Sequence, residues 1–209
     1  MVHKQQKPLF ITFEGIDGCG KSTQAVMTFQ FLQSHGYKVK LLREPGSTDV
    51  SEKIREILLD KSSKISDITE LLLYEAARSE ITTQEIEPAL KKGIIVLCDR
   101  FYDSTTAYQG YGRKLDIRMV KALHKVAALG IVPDLTFVFD IDIPTAFARR
   151  GKATDRLESQ SKAFFQRVRA GFMEIARKER RRVKRIDAAQ PIEKVFEDVK
   201  QILIKKLEL

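Results

Sequence analysis

Two cysteines among 209 residues, Cys19 and Cys98, are too few for a disulfide framework, and a reduced cytoplasmic setting is the expectation. No apolar run reaches the roughly 20 residues that span a bilayer, so no membrane helix is expected. The stretch Met1 to Pro8 is polar and lacks the apolar segment of a secretory signal. Internal repeats, low-complexity tracts and linkers are also missing. A chain of this length without linkers reads as one domain over 1–209. Its 43% hydrophobic content is ordinary and sufficient for a full core.

The net charge of +9 suggests a polyanion partner until it is located. Seven basic residues and one acidic residue fall between Arg177 and Arg185. No aromatic side chain is interleaved there, as base-stacking surfaces require. The run instead reads as the solvated end of a helix, where cations suit the negative end of the dipole, and no nucleic-acid partner is expected.

What the chain does contain is Gly15-Ile16-Asp17-Gly18-Cys19-Gly20-Lys21-Ser22-Thr23, a full match to G-x-x-x-x-G-K-[ST]. Apolar Leu9 to Phe13 reads as a strand entering the loop, and Thr23 onward as a helix leaving it to about Ser34. Such a loop turns successive N–H groups toward polyphosphate, and the helix N-terminus adds partial positive charge. Lys21 reaches the β/γ-phosphates and the Ser22 hydroxyl is a ligand for Mg²⁺, which implies a nucleoside triphosphate site with ATP and Mg²⁺.

Further strands are read at Val39–Leu42, Ile94–Cys98, Leu135–Ile141 and Val183–Ile186. Between them, helical periodicity runs through Ile54, Ile57 and Leu58, and through Ile68, Leu72, Leu73, Ala76 and Ala77. More helices are read at 83–92, 117–129, from Pro144, at 157–180 and at 192–207. Phe101 to Arg113, punctuated by Gly110 and Gly112, reads as an active-site loop. Strands alternating with helices give a three-layer α/β/α fold around a five-stranded parallel sheet. Charged groups follow four of the strands: Lys21, Arg43-Glu44, Asp99-Arg100, and the basic loop Arg149-Arg150-Gly151-Lys152. In a parallel sheet these converge on one crevice, as phosphoryl transfer requires. A GTPase is disfavoured, since no Asn-Lys-x-Asp segment occurs.

Six further segments accompany the loop: Arg43-Glu44-Pro45-Gly46, Tyr74-Glu75-Ala76-Ala77-Arg78, Asp99-Arg100-Phe101, Ala107-Tyr108-Gln109-Gly110, Asp155-Arg156-Leu157-Glu158 and Asp187-Ala188-x-Gln190-Pro191. In that order and spacing, from residue 9 to the C-terminus, the chain resembles the thymidylate kinases of the P-loop nucleoside monophosphate kinase group. The resemblance implies a P-loop NTPase fold with a short lid (about 149–157), an acceptor-site region at about 43–113, ATP-dependent phosphorylation of dTMP to dTDP, and a homodimer.

Residue by residue, the resemblance places Arg55, Arg78 and Arg100 around dTMP, with Arg55 and Arg100 chiefly at its phosphate. It puts Tyr74 against thymine, Thr105 and Gln109 at the thymine edge, and Tyr108 under the deoxyribose. Asp17 falls near the sugar 3′-hydroxyl, Glu44 on the dTMP side, Asp99 with Ser22 at the metal, and Ala188 to Pro191, Gln190 included, beside adenine. Some relatives carry a catalytic Arg where Gly18 stands; here the transferring phosphoryl must draw its cation from the lid, from Arg149 or Arg150. A kinase for another nucleoside monophosphate or deoxynucleoside is the same-class alternative. An ATP-dependent nucleic-acid-binding protein using 177–185 is the alternative from a different class.

Overall fold

A computed structural model of the chain describes residues 7–153 and 155–207. Most of the N-terminal stretch read for a secretory signal (residues 1–6) lies outside the described residues. Strands β1 (Phe10–Glu14), β2 (Val39–Arg43), β3 (Ile95–Asp99), β4 (Leu135–Asp140) and β5 (Val183–Asp187) form one sheet in the order β2-β3-β1-β4-β5. Every neighbouring pair is parallel, with Ile11 opposite Leu97 on one side and Leu135 on the other. The helices are α1 (Lys21–Ser34), α2 (Asp49–Leu59), α3 (Asp67–Ile81), α4 (Glu87–Lys91), α5 (Tyr102–Thr105), α6 (Ile117–Ala127), α7 (Ile143–Arg150), α8 (Lys162–Lys178) and α9 (Ile192–Leu207). The expected three-layer α/β/α fold is therefore present.

Strand side chains alternate between the two faces, and the core divides accordingly. Ile11, Phe13, Ile95 and Leu97 pack with α1, α8 and α9 through Leu32, Phe165 and Val199. Phe10, Val96 and Cys98 face the other way, onto Ile81, Ile86, Ala89 and Phe101. Central strands buried on both faces explain why β1, β3 and β4 read as continuous apolar runs. Among the described residues no helix is long and apolar enough to cross a membrane.

Three sequence expectations are corrected. Phe101 to Arg113 is not a loop: α5 widens into a π-helical segment, Thr106–Gly112, laid against α8. The glycines there serve packing, since a Cβ at Gly110 would lie 2.5 Å from Ile117 Cδ1, and one at Gly112 would lie 2.7 Å from Phe164 Cε2. The helix expected at 157–180 begins only at Lys162, where the Ser161 hydroxyl caps it by accepting from Phe164 N–H at 3.2 Å. On α3 the apolar reading holds only in part: Ile68 and Leu72 are 44% and 50% exposed, while the buried face mixes Leu71, Ala77 and Ile81 with Glu70, Glu75 and Arg78.

Much of the basic run is consumed internally. Arg177 and Lys178 pair with Glu174, Arg185 pairs with Asp140, and Arg182 reaches Asp103 at 2.7 Å and Glu179 at 2.6 Å.

The close approach of α8 generates a stability prediction. Gly112→Ala forces Cβ into Phe164 and Val168 and should cost about 1–3 kcal/mol, the usual range for overpacking. The shift in urea midpoint measures it, and adding Phe164→Leu should recover part of the loss. An unchanged midpoint for Gly112→Ala would refute the packing account.

Candidate active site

β1 runs into the glycine loop, and Gly20, at φ 88°, turns the chain into α1. Among the described residues no side chain caps α1, and its first turn holds no acid. Its leading N–H groups therefore remain for an anion. Ile16 and Cys19 are buried and serve the core, and the Cys19 N–H closes the turn onto Ile16 O at 3.2 Å. Gly18 has no alternative: at φ 85° its Cβ would stand 2.1 Å from the Ala146 carbonyl oxygen of α7.

Lys21 is 6% exposed and donates to Asp17 Oδ1 at 3.1 Å. Arg100 Nη2 donates to the same oxygen at 2.6 Å. Burial alone would raise the Asp17 carboxyl, but Arg100 and Lys21 outweigh it and hold it well below the usual carboxylate range. Arg100 does not pair with its neighbour Asp99. Asp99 instead accepts from the Ser22 hydroxyl, and its other oxygen, Oδ1, is buried with no partner among the described residues. A hydroxyl beside an unsatisfied carboxylate oxygen, at the mouth of a phosphate loop, is a donor set that fits Mg²⁺.

Asp17 also lines a second cleft, of about 550 Å³, which gathers the acceptor residues named from the sequence. Glu44 and Arg55 enter it from β2 and α2, Tyr74 and Arg78 from α3, and Arg100, Thr105, Tyr108 and Gln109 from the segment after β3. Arg78 is 1% exposed and fully committed. It donates through Nε to Glu44, through Nη1 to Glu75 and through Nη2 to Thr105 Oγ1, each at 2.9 Å. Burial pushes Glu44 up to about 7 even against the pull of Arg78. Arg55 donates to the Pro45 carbonyl at 3.0 Å, and burial together with Arg43 lowers its pKa. Tyr108 is both anchor and wall. Its ring packs edge-on against Phe164, Phe165 and Phe172, while its hydroxyl lies 3.3 Å from Asp17 Oδ2.

The sequence reading passed over Glu70, a fully buried carboxylate on α3. It accepts from Gln109 Nε2 at 2.7 Å and pairs with Arg113 at 2.9 Å and Arg156 at 2.6 Å. It thereby ties the thymine-edge candidate to the end of the lid. Local sequence carries no signal for it, because its role lies in partners distant along the chain, Gln109, Arg113 and Arg156.

A larger cleft, of about 1490 Å³, opens beyond Lys21, bounded by the glycine loop, Arg149, Arg150 and the segment from Ala188 to Val195. Arg149 donates to the carbonyls of Ala188 at 2.6 Å and Ala189 at 3.1 Å, fixing the loop that carries Gln190. Arg150 stacks 4.4 Å from the Phe147 centroid, and its Nε is buried without a partner among the described residues. Thr154, inside the expected lid, lies outside the described residues.

Comparison with known proteins agrees with this geometry. The thymidylate kinase family model matches residues 13–199. The chain is 46% identical over 202 residues to a thymidylate kinase of Thermoanaerobacter sp. (strain X514), covering 96% of this chain and 100% of that one. It is 45% identical over 204 residues to a thymidylate kinase of Kosmotoga olearia, covering 95% and 98%. The crystal structure of the Ehrlichia chaffeensis thymidylate kinase matches with a TM-score of 0.78 at 37% identity, over 94% of this chain and 98% of that one. With a glycine-rich G-x-x-x-x-G-K-S loop and an arginine-lined cleft meeting at Asp17, and with relatives matched along nearly their whole length, the chain belongs to the thymidylate kinase family.

Proposed function

We propose that this protein transfers the γ-phosphoryl of ATP to dTMP, giving dTDP, as a single catalytic unit. The observation that carries the reading is the shared Asp17: the two clefts open on either side of it, with Lys21 and Arg100 on one oxygen. ATP lies with its phosphates on the glycine loop and its base beside Ala188 to Pro191. dTMP lies with its phosphate at Arg100 and Arg55, its deoxyribose over Tyr108, and thymine between Tyr74 and the Thr105–Gln109 edge. The acceptor phosphate is already a nucleophilic oxyanion, so the residues align, screen and exclude water, and no covalent enzyme intermediate is needed. Mg²⁺, when bound at Ser22 and Asp99, supplies charge neutralisation at the β- and γ-phosphate oxygens. Free, buried Cys19 and Cys98 suit a reducing cytoplasm. A coupled ADP-release assay with each nucleoside monophosphate tests the acceptor, and preference for another monophosphate would overturn the assignment.

The homodimer is supported by exposed apolar side chains on three neighbouring helices, of which α3 packs against both others: Val50 and Ile57 on α2, Ile68 and Leu72 on α3, Met119 and Val126 on α6. Val126, 73% exposed, should tolerate Asp within the fold while Val126→Asp shifts the mass in light scattering from dimer to monomer. A wild-type monomer would refute the dimer.

Lys21→Ala should lose nearly all turnover with an unchanged melting curve, because the ammonium neutralises charge that grows during transfer. Near-wild-type dTMP phosphorylation by the folded variant would sink the mechanism.

The lid arginines should separate. Arg150→Ala should lower kcat on the order of 10²-fold or more, as loss of an arginine finger does. Arg149→Ala, which frees the 188–189 carbonyls, should also raise KM for ATP. If neither changes kcat threefold, Arg156 or Lys152 supplies the cation.

A further inference from the structure

Arg100 is held in a conformation that its own chemistry disfavours. Its φ is 72°, in the left-handed region where a side-chain-bearing residue is strained. Such a residue persists only where its surroundings fix it, and the fixing group here is a carboxyl that lines neither cleft. Glu14 ends β1 and is fully buried. Its Oε1 accepts from the Phe101 N–H at 2.7 Å, which pins the peptide immediately after Arg100. Its Oε2 lies 2.5 Å from Ser104 Oγ, and that hydroxyl oxygen accepts from Arg100 Nη1 at 2.9 Å. One carboxyl thus grips the Arg100 turn by its backbone and, through one hydroxyl, the guanidinium itself. The preceding amide is fixed as well, since Arg100 N–H donates to Phe13 O at 2.9 Å.

We infer that Glu14 is the positioning residue of the acceptor-phosphate site: its two hydrogen bonds hold Arg100 in its strained turn so that the guanidinium lines the cleft where the phosphate arrives. This rests on the reading that Arg100 grips the phosphate of dTMP. Burial and the nearby Asp103 carboxylate push the Glu14 carboxyl up to about 8, with Ser104, Arg100 and the Phe101 amide pulling the other way. A glutamine at this position therefore keeps the shape and offers a carbonyl to the Phe101 N–H, while the Ser104 bond survives in reverse, the amide N–H donating to Ser104 Oγ in place of the hydroxyl donating to Oε2. A leucine keeps the bulk and loses both bonds, leaving a buried N–H unmatched.

Thymidine and dTMP differ only in the phosphate, so calorimetric titration of the full-length protein with each isolates the effect. Glu14→Leu should weaken dTMP binding at least about tenfold, the scale of one hydrogen bond to a charged group, and leave thymidine within about twofold. Glu14→Gln should restore most of the loss. Ser104→Ala, which cuts only the side-chain leg, should weaken dTMP selectively by a smaller factor, and it decides the matter if Glu14→Leu does not fold. Equal weakening of both ligands, no change in either, or a glutamine no better than leucine would overturn the inference. Arg100→Ala tests the underlying reading separately. If that variant keeps the wild-type ratio of dTMP to thymidine affinity, Arg100 does not hold the phosphate.

Discussion

Two cations held near one another in a partly buried site repel strongly, because little water is left to screen them. Lys21 and Arg100 are in that position, and Asp17 is what allows it, with a single oxygen 3.1 Å from one and 2.6 Å from the other. The arrangement ties the glycine loop after β1 to the segment after β3, so Lys21 and Arg100 keep a fixed separation. Cations preorganised in this way need no reorganisation when charge develops between them. The rest of the site is built outward from that carboxylate.

The charges around it extend into the interior to an unusual degree. Arg78 with Glu44 and Glu75, and His124 on Glu75 at 2.8 Å, are almost wholly removed from water, and the buried Glu70 pairs with the partly buried Arg113 and Arg156. Buried ion pairs rarely add net stability, because desolvation offsets their attraction. Their gain is geometric. Arg78 donates in three directions, so it cannot rotate without stranding a carboxylate, and Thr105 is fixed with it. A cleft that distinguishes bases by hydrogen bonding needs that rigidity more than it needs stability.

How much of this was legible in the sequence follows from where the information resides. The glycine loop was fully legible because backbone conformation dictates its residues, and the central strands β1, β3 and β4 because burial on both faces leaves continuous apolar runs. The acceptor residues became legible as a set through family resemblance, since a lone Arg55 or Tyr74 looks like any helix residue. Glu70 and Glu14 were not legible as site elements. Their significance lies in partners such as Arg156 and Phe101, each more than eighty residues away. α3 misled in part for a related reason: its buried face mixes Leu71, Ala77 and Ile81 with the charged Glu70, Glu75 and Arg78, while Ile68 and Leu72 lie outside. The segment 101–113 misled because packing glycines resemble turn glycines unless the facing side chains, Ile117 and Phe164, are known.

The absence of an arginine at position 18 also has a steric cause. The α7 backbone presses on Gly18 so closely that even a methyl group would overlap the Ala146 carbonyl. Arg149 and Arg150 sit three and four residues further along that same helix, about one turn away. Contact with Gly18 therefore fixes the helix that carries both arginines to the rim of the larger cleft. A side chain at 18 would displace α7 and, with it, the two lid cations. In this backbone a side chain at position 18 and the present placement of α7, with Arg149 and Arg150 at its end, are mutually exclusive, and the glycine selects the second.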